Sequence, residues 1–273
     1  MKRFIAEIIA GRDLIRELVL KDLKIRYAKP ALGFFWSFFS PFFTVIIFYV
    51  VFSLVLRVEI KEAPFFLYLM SAVFSWRFFS DSVTSATASL VDNKNLIRES
   101  RVPHYFIPLS IVLSCGVNYL PSLCILLVAS FVTLKGFPVF IALLPVILVI
   151  HLLLTIGVSL LCALLYVRWR ETRYILEVVL QALFYLSPVF YSILLIEKLC
   201  PPGLFIAYTH NPFVGIMNVY RIVILKGFYP VIKGSIGLSS LIVTPLLCAF
   251  TFLLLGLYLF RKNTNNLNER LFY

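Results

Sequence analysis

Charge is scarce in this chain, and acid is scarcer. Only 13 of 273 residues are Asp or Glu, and all charged types make up 14% of the sequence, against about a quarter in an ordinary soluble domain. Histidine occurs at 104, 151 and 210 only. None of the three forms an H-x-x-H or H-E-x-x-H pair, so the spacing gives no zinc site. The five cysteines, at 115, 124, 162, 200 and 248, show no C-x-x-C spacing and lie mostly in apolar runs. They read as small core residues rather than a disulfide framework or metal site. No glycine opens a G-x-x-x-x-G-K-[ST] motif, which excludes ATP binding through a P-loop of the chain's own. Glu171 and Glu177 flank Arg173 at a helix entrance and suit ion pairing better than acid–base chemistry. Ser187, before Pro188, has no base near it in sequence and is weak as a nucleophile. The chain opens Met1-Lys2-Arg3 and stays charged for some thirty residues, without the short apolar stretch and small-residue cleavage site of a signal peptide.

What the chain has is apolar length. It is 61% hydrophobic, with 27 Phe and 14 Tyr. A bilayer core takes roughly 20 apolar residues per helix, which leaves room for about six or seven spans and little else. The formal charge of +12 would suggest a nucleic-acid partner in a soluble protein. Here Lys and Arg cluster at the ends of apolar stretches, the positive-inside pattern of a membrane protein, so no nucleic acid is expected.

Residues 1–33 carry eight basic positions, and Phe4, Ile5, Ile8, Ile9, Leu14, Ile15, Leu18 and Val19 recur at three-to-four spacing. This is an amphipathic helix for the cytoplasmic interface. Lys29-Pro30 and Gly33 end it before a transmembrane domain at 34–273. Spans are expected near 34–56, 64–91, 105–134, 137–167, 174–196 and 236–260, the fifth bent at Ser187-Pro188. The second contains Arg77 and Asp81, one turn apart and able to neutralise each other. The stretch 203–225 is long enough to cross, yet Asn211-Pro212 divides it and Arg221 sits inside it. Reading 200–230 as a re-entrant half-helix pair keeps the basic tail 261–273 on the cytoplasmic side. Seventeen Lys and Arg then lie in the four cytoplasmic segments and seven in external ones, with Arg77 in the membrane. The fold class is therefore all-α: six transmembrane helices, an interface helix and a re-entrant pair, with both termini cytoplasmic.

A resemblance follows from the order of short motifs. The run 18–27, Leu-Val-Leu-Lys-Asp-Leu-Lys-Ile-Arg-Tyr, is followed by Leu32-Gly33-Phe34-Phe35-Trp36 and Pro41. Next come Asn95-Leu96-Ile97, Arg101-Val102-Pro103 and Pro108-Leu109; Tyr166-Val167-Arg168-Trp169-Arg170-Glu171; Tyr185-Leu186-Ser187-Pro188-Val189; Asn211-Pro212; and Tyr220-Arg221 with Gly227. Taken in order, these resemble the permease subunits of ABC exporters for O-antigen, teichoic acid and capsule. Glu171 departs from the family's pattern, where an Arg-Asp pair is usual.

The resemblance implies a homodimer in the inner membrane and two separate cytoplasmic ATPase subunits. It also implies a lipid-linked polysaccharide as cargo and ATP and Mg held by the ATPase, with no cofactor in this chain. It places a coupling helix in the loop 92–104, where Asn95, Leu96, Ile97, Arg98, Glu99, Arg101, Val102 and Pro103 are the docking candidates. Aromatic rings stack on the C–H faces of sugars, so Phe34, Phe35, Trp36, Phe38, Phe39, Phe42, Tyr185 and Tyr191 are candidates to line a conduit. Lys21, Lys24 and Arg26 are candidates for a lipid headgroup. Asn211, Pro212, Tyr220 and Arg221 are candidates for a periplasmic gate. Two rival readings stay open: a membrane-embedded lipid or sugar transferase, and an ABC permease for another substrate such as teichoic acid, a drug or haem.

Overall fold

A computed structural model of the chain describes residues 2–27, 36–57, 60, 63–99, 102–136, 138–237 and 239–272, without the side chains of 2–5, 36–38, 99 and 264–272. The described residues form helices and connections, with no strand among them. In chain order the helices are α1 (Lys2–Ala10), α2 (Arg12–Tyr27), α3 (Trp36–Tyr49), α4 (Phe65–Asp92), α5 (Lys94–Glu99), α6 (Phe106–Leu134), α7 (Leu144–Arg168), α8 (Thr172–Leu186), α9 (Ile193–Leu199), α10 (Pro202–Thr209), α11 (Pro212–Ile224), α12 (Phe228–Ile232) and α13 (Thr244–Phe272). Wider π-helical turns extend α3 through Val50–Val55 and precede α13 at Ser239–Val243, and a 3₁₀ segment, Val139–Leu143, leads into α7.

Three helical stretches are long and apolar enough to cross a membrane: Phe106–Leu134, Val139–Arg168 and Ser239–Asn263. Each buries only a third or so of its apolar window inside the chain, leaving the outer faces for lipid. Their packing is close. A Cβ built on Gly157 of α7 would lie 2.5 Å from the Leu253 nitrogen of α13, so only glycine lets the two backbones touch there. By contrast α4 is wrapped by its neighbours: Leu67, Leu69, Met70, Phe74, Phe79 and Val83 are all buried.

Local chemistry explains most boundaries. Lys135 adopts a left-handed conformation (φ 52°) beside Gly136 (φ 141°), and both backbone N–H groups bond the Phe131 carbonyl, which closes the tight turn after α6. Asn211 caps α11 by accepting the Phe213 N–H at 3.0 Å, with Pro212 at the first helical position.

Three sequence expectations change. The amino-terminal helix is two helices that meet at Gly11, where the backbone passes so close to the Phe106 ring that a Cβ would sit 2.3 Å from it. The fifth apolar stretch does not bend at Ser187-Pro188 but ends there, leaving an irregular elbow at 187–192 before α9. Finally, 261–272 is no separate tail but the last turns of α13. At one end of the bundle, Glu7 of α1 accepts a hydrogen bond from Tyr105 and pairs with Arg261 at 3.8 Å, and Lys21 donates to Asn93. At the other end, Ser130 at the close of α6 donates to the Ile224 carbonyl of α11.

Candidate functional site

Polar side chains on α3, α4 and α8 meet in a groove of ≈360 Å³. Arg77 stands at its centre, donating to Ser40 Oγ (3.1 Å) and Thr44 Oγ1 (3.5 Å) of α3 and pairing with Asp81 (Nε–Oδ2 3.8 Å). Ser80, Thr84, Glu177 and Gln181 complete the polar lining, with Phe48, Trp76 and Phe184 as its apolar walls. Arg77 and Asp81 pair as their spacing requires, but they are not shut away. Their side chains are 34% and 58% exposed. The sequence signal for Glu177 and Gln181 was weak, because α8 has apolar residues on nearly every side.

A second cavity of ≈610 Å³ opens at the end that holds the amino terminus, between α2, the end of α4 and the start of α6. Lys21, Asp22, Arg26, Asp92 and Arg173 supply its charges, and Thr84 lines both cavities. The two thus share a wall at α4, and Arg173 of the second pairs with Glu177 of the first (3.5 Å).

The headgroup candidates divide here. Lys21 and Lys24 are exposed. Arg26 is already engaged, donating to Asp22 (3.0 Å) and to Cys115 Sγ (3.6 Å), while Ser114 donates to the same Asp22 carboxylate. That network, with Tyr27 bonded to Asn118, rivets α2 to α6. The inner face of α2 buries Ile15 and Leu18, whereas Ile9, Leu20 and Ile25 point outward, 60%, 37% and 64% exposed. One apolar edge of the amphipathic segment therefore packs on protein and another is left for lipid.

In the coupling candidate, α5 exposes Asn95 and Arg98, while Leu96 is half-buried. Ile97 and Val102 are buried in the chain's own core beside Ile15, Leu18 and Phe106. They are not available to a partner, which corrects the expectation that Leu96, Ile97 and Val102 form one docking set. Pro103 follows in the turn before α6. Arg101 and the Glu99 side chain lie outside the described residues, as do Phe34, Phe35 and the side chains of Trp36 and Phe38.

Of the aromatic candidates, Phe39 stacks on Phe43 within α3 (5.9 Å) and Phe42 meets Phe66 of α4 edge-on (6.3 Å). Tyr185 is 58% exposed at the end of α8. Tyr191, half-buried in the elbow, donates to the Tyr185 carbonyl at 3.0 Å. The gate candidates Tyr220 and Arg221 are fully buried. Tyr220 meets His151 Nδ1 at 3.2 Å, and Arg221 Nη2 donates to the Pro188 carbonyl. Sequence reasoning missed the partners of these two, His151 and Tyr68, because each lies on a different helix and carries no local motif. On the turn between α7 and α8, Arg168 lies over Trp169 (4.4 Å) and Arg170 over Tyr166 (5.1 Å).

Residues 13–225 match the family model for ABC-2 type transporters. The chain belongs to that family. This ABC-2 chain is 28% identical over 249 residues to an O-antigen export system permease protein, RfbA, of Myxococcus xanthus, covering 91% of this chain and 94% of that protein. Two permease proteins of the same name from Klebsiella pneumoniae are also similar. One is 26% identical over 251 residues (92% of each chain) and the other 28% identical over 216 residues (79% of this chain, 81% of that protein). With its long apolar helices, this ABC-2 chain is a multi-pass membrane protein. The matched region takes in both cavities and ends just after Arg221.

Proposed function

We propose that this chain is the membrane-spanning subunit of an ATP-driven exporter of lipid-linked polysaccharide, of the O-antigen kind, across the inner membrane. The observation that carries the reading is its likeness, along nine-tenths of its length, to O-antigen export permeases. The structure gives that reading a physical form. On this reading α3, α4, α6, α7, α8 and α13 cross the membrane as six spans, with the end that holds α1, α5 and Arg261 on the cytoplasmic side, as the positive-inside count favours. The short helices α9 to α12 form the re-entrant region on this reading.

Charged groups at bilayer depth are costly against lipid and belong beside a water-filled path. The groove holding Arg77, Asp81, Glu177 and Gln181 lies open on one side, and α8 beside it exposes Tyr174, Ile175, Val178 and Val179. A second copy of the chain supplies the missing wall, so that two grooves face each other as the sugar conduit. Hydroxyls and amides there bind sugars loosely, and Tyr185 stands at the outer end. The second cavity, with Lys21 and Arg173, receives the anionic headgroup of the lipid-linked substrate on the cytoplasmic side. Two ATPase subunits, holding ATP and Mg, dock on α5 and the exposed surface of α1 and α2. Purifying the full chain with the ATPase it captures, then measuring ATP hydrolysis with candidate glycolipids, tests this reading. Hydrolysis stimulated by a lipid-linked polysaccharide is expected, and a chain that captures no ATPase would contradict it.

A further inference from the structure

Arg221 of α11 is among the largest fully buried side chains in the molecule. Among the described residues no carboxylate pairs with it. Its guanidinium carbon lies 3.4 Å from the Tyr68 ring centroid, Nη2 donates to the Pro188 carbonyl, Nη1 reaches Asn218 Oδ1 at 3.5 Å, and Nε has no hydrogen-bond partner. A guanidinium carries five N–H donors, so this one is under-satisfied where it sits. Such a burial persists only while the surrounding structure enforces it.

The enforcing structure is the elbow at 187–192. It has no helical ladder of its own, yet Ser187, Val189 and Phe190 are buried. Two of its carbonyls are satisfied from outside: Pro188 by Arg221, and Tyr191 by the Tyr68 hydroxyl at 2.8 Å. Tyr68 therefore does two things at once, offering its ring to Arg221 and its hydroxyl to the elbow. Displacing the elbow removes an acceptor from a buried charge that is already short of them, so the contacts break together or not at all. The charge then gains by following the elbow toward water.

Resting on the reading of this chain as an exporter permease, we propose that Arg221 is a positioning residue. With Tyr68 it latches the elbow at 187–192 shut, and with it Tyr185 and Tyr191, and its release opens the outer end of the path. The latch acts through the elbow, not by touching the cargo.

The test uses the full-length chain with its five cysteines replaced by alanine, carrying either Val189→Cys in the elbow or Val139→Cys as an exposed control at the same end. Val189 is 0% and Val139 92% exposed. Cells with a permeabilised outer envelope are treated with a membrane-impermeant maleimide. Labelling at 139 establishes that this end faces outward. Adding Arg221→Met should raise the labelling rate at 189 by about tenfold or more, the scale of losing a charged hydrogen bond, and leave the rate at 139 unchanged. Arg221→Lys should fall between. If Arg221→Met does not reach the membrane, Tyr68→Phe, which removes only the hydroxyl bonded to the elbow, should raise labelling at 189 alone. An unchanged rate at 189 in whichever variant inserts, or an equal rise at both sites, overturns the latch, the second outcome marking a purely structural role. Surface polysaccharide on the same cells reports separately on the permease reading. Its absence from the parent would count against that reading while the ratio of the two labelling rates still measures the latch.

Discussion

At the scale of single residues, burial separates two arginines that composition treats alike. Arg77 is one-third exposed and shares its groove with Asp81, Glu177 and Gln181. An exposed pair of this kind contributes at most about 1 kcal/mol to stability. Replacing Asp81 by Ala is therefore expected to leave membrane insertion and thermal stability nearly unchanged, because the freed Arg77 still reaches water, Ser40 and Thr44. Export should fall several-fold, read as surface polysaccharide; a large drop in stability with unaltered export would remove the groove from the path. Gly157 makes the opposite case, a residue whose whole contribution is structural. With its Cβ position 2.5 Å from the α13 backbone, Gly157→Ala should destabilise by about 1–3 kcal/mol through overpacking. Gly116→Ala, where the nearest atom is a Phe78 ring carbon at 3.7 Å, should be neutral. Thermal unfolding of the two purified variants checks the contrast. The i, i+4 pairing of Arg77 with Asp81 was legible because helical spacing fixes it. The partners of Arg221 were not, since Tyr68 and Pro188 lie far from it in sequence and meet it only through packing.

At the scale of elements, α4, α6 and α7 fall close to where apolar runs and flanking charges put them, since apolar length decides such helices almost alone. The expectations that changed are those a neighbour decides. The amino-terminal segment turns at Gly11, where the Phe106 ring leaves no room for a Cβ. Ser187-Pro188 ends α8 because Arg221 and Tyr68 satisfy carbonyls that a helix would otherwise have to satisfy. The coupling loop teaches the same lesson in reverse. The resemblance put Ile97 and Val102 among the docking candidates, but both are buried with Ile15, Leu18 and Phe106 of α2 and α6. Ile97→Asp should accordingly prevent stable folding, since it places an unpaired carboxylate in an apolar core. Arg98→Glu, on the exposed side of α5, should leave the chain folded and weaken recovery of the ATPase by about tenfold, as reversal of an interfacial charge does. Size-exclusion profiles and co-purification yields separate the two outcomes. Normal ATPase recovery with Arg98→Glu would move the docking surface to α1 and α2.

At the scale of the whole molecule, the arrangement is a bundle with a polar seam on one side, a riveted amphipathic segment at one end and a latched elbow at the other. Its charged groups line two cavities that share Thr84. The likeness to O-antigen export permeases favours a conduit over the rival lipid or sugar transferase. The two readings differ most sharply in where the polymer goes when the chain is missing. Deleting the gene in its own host, then assaying polysaccharide at the cell surface and lipid-linked polysaccharide inside, tests the central claim directly. An exporter predicts that surface polymer disappears while finished lipid-linked polymer accumulates on the cytoplasmic side, both reversed by the intact chain. Undiminished surface polymer, or loss of surface polymer with no internal accumulation, would contradict it.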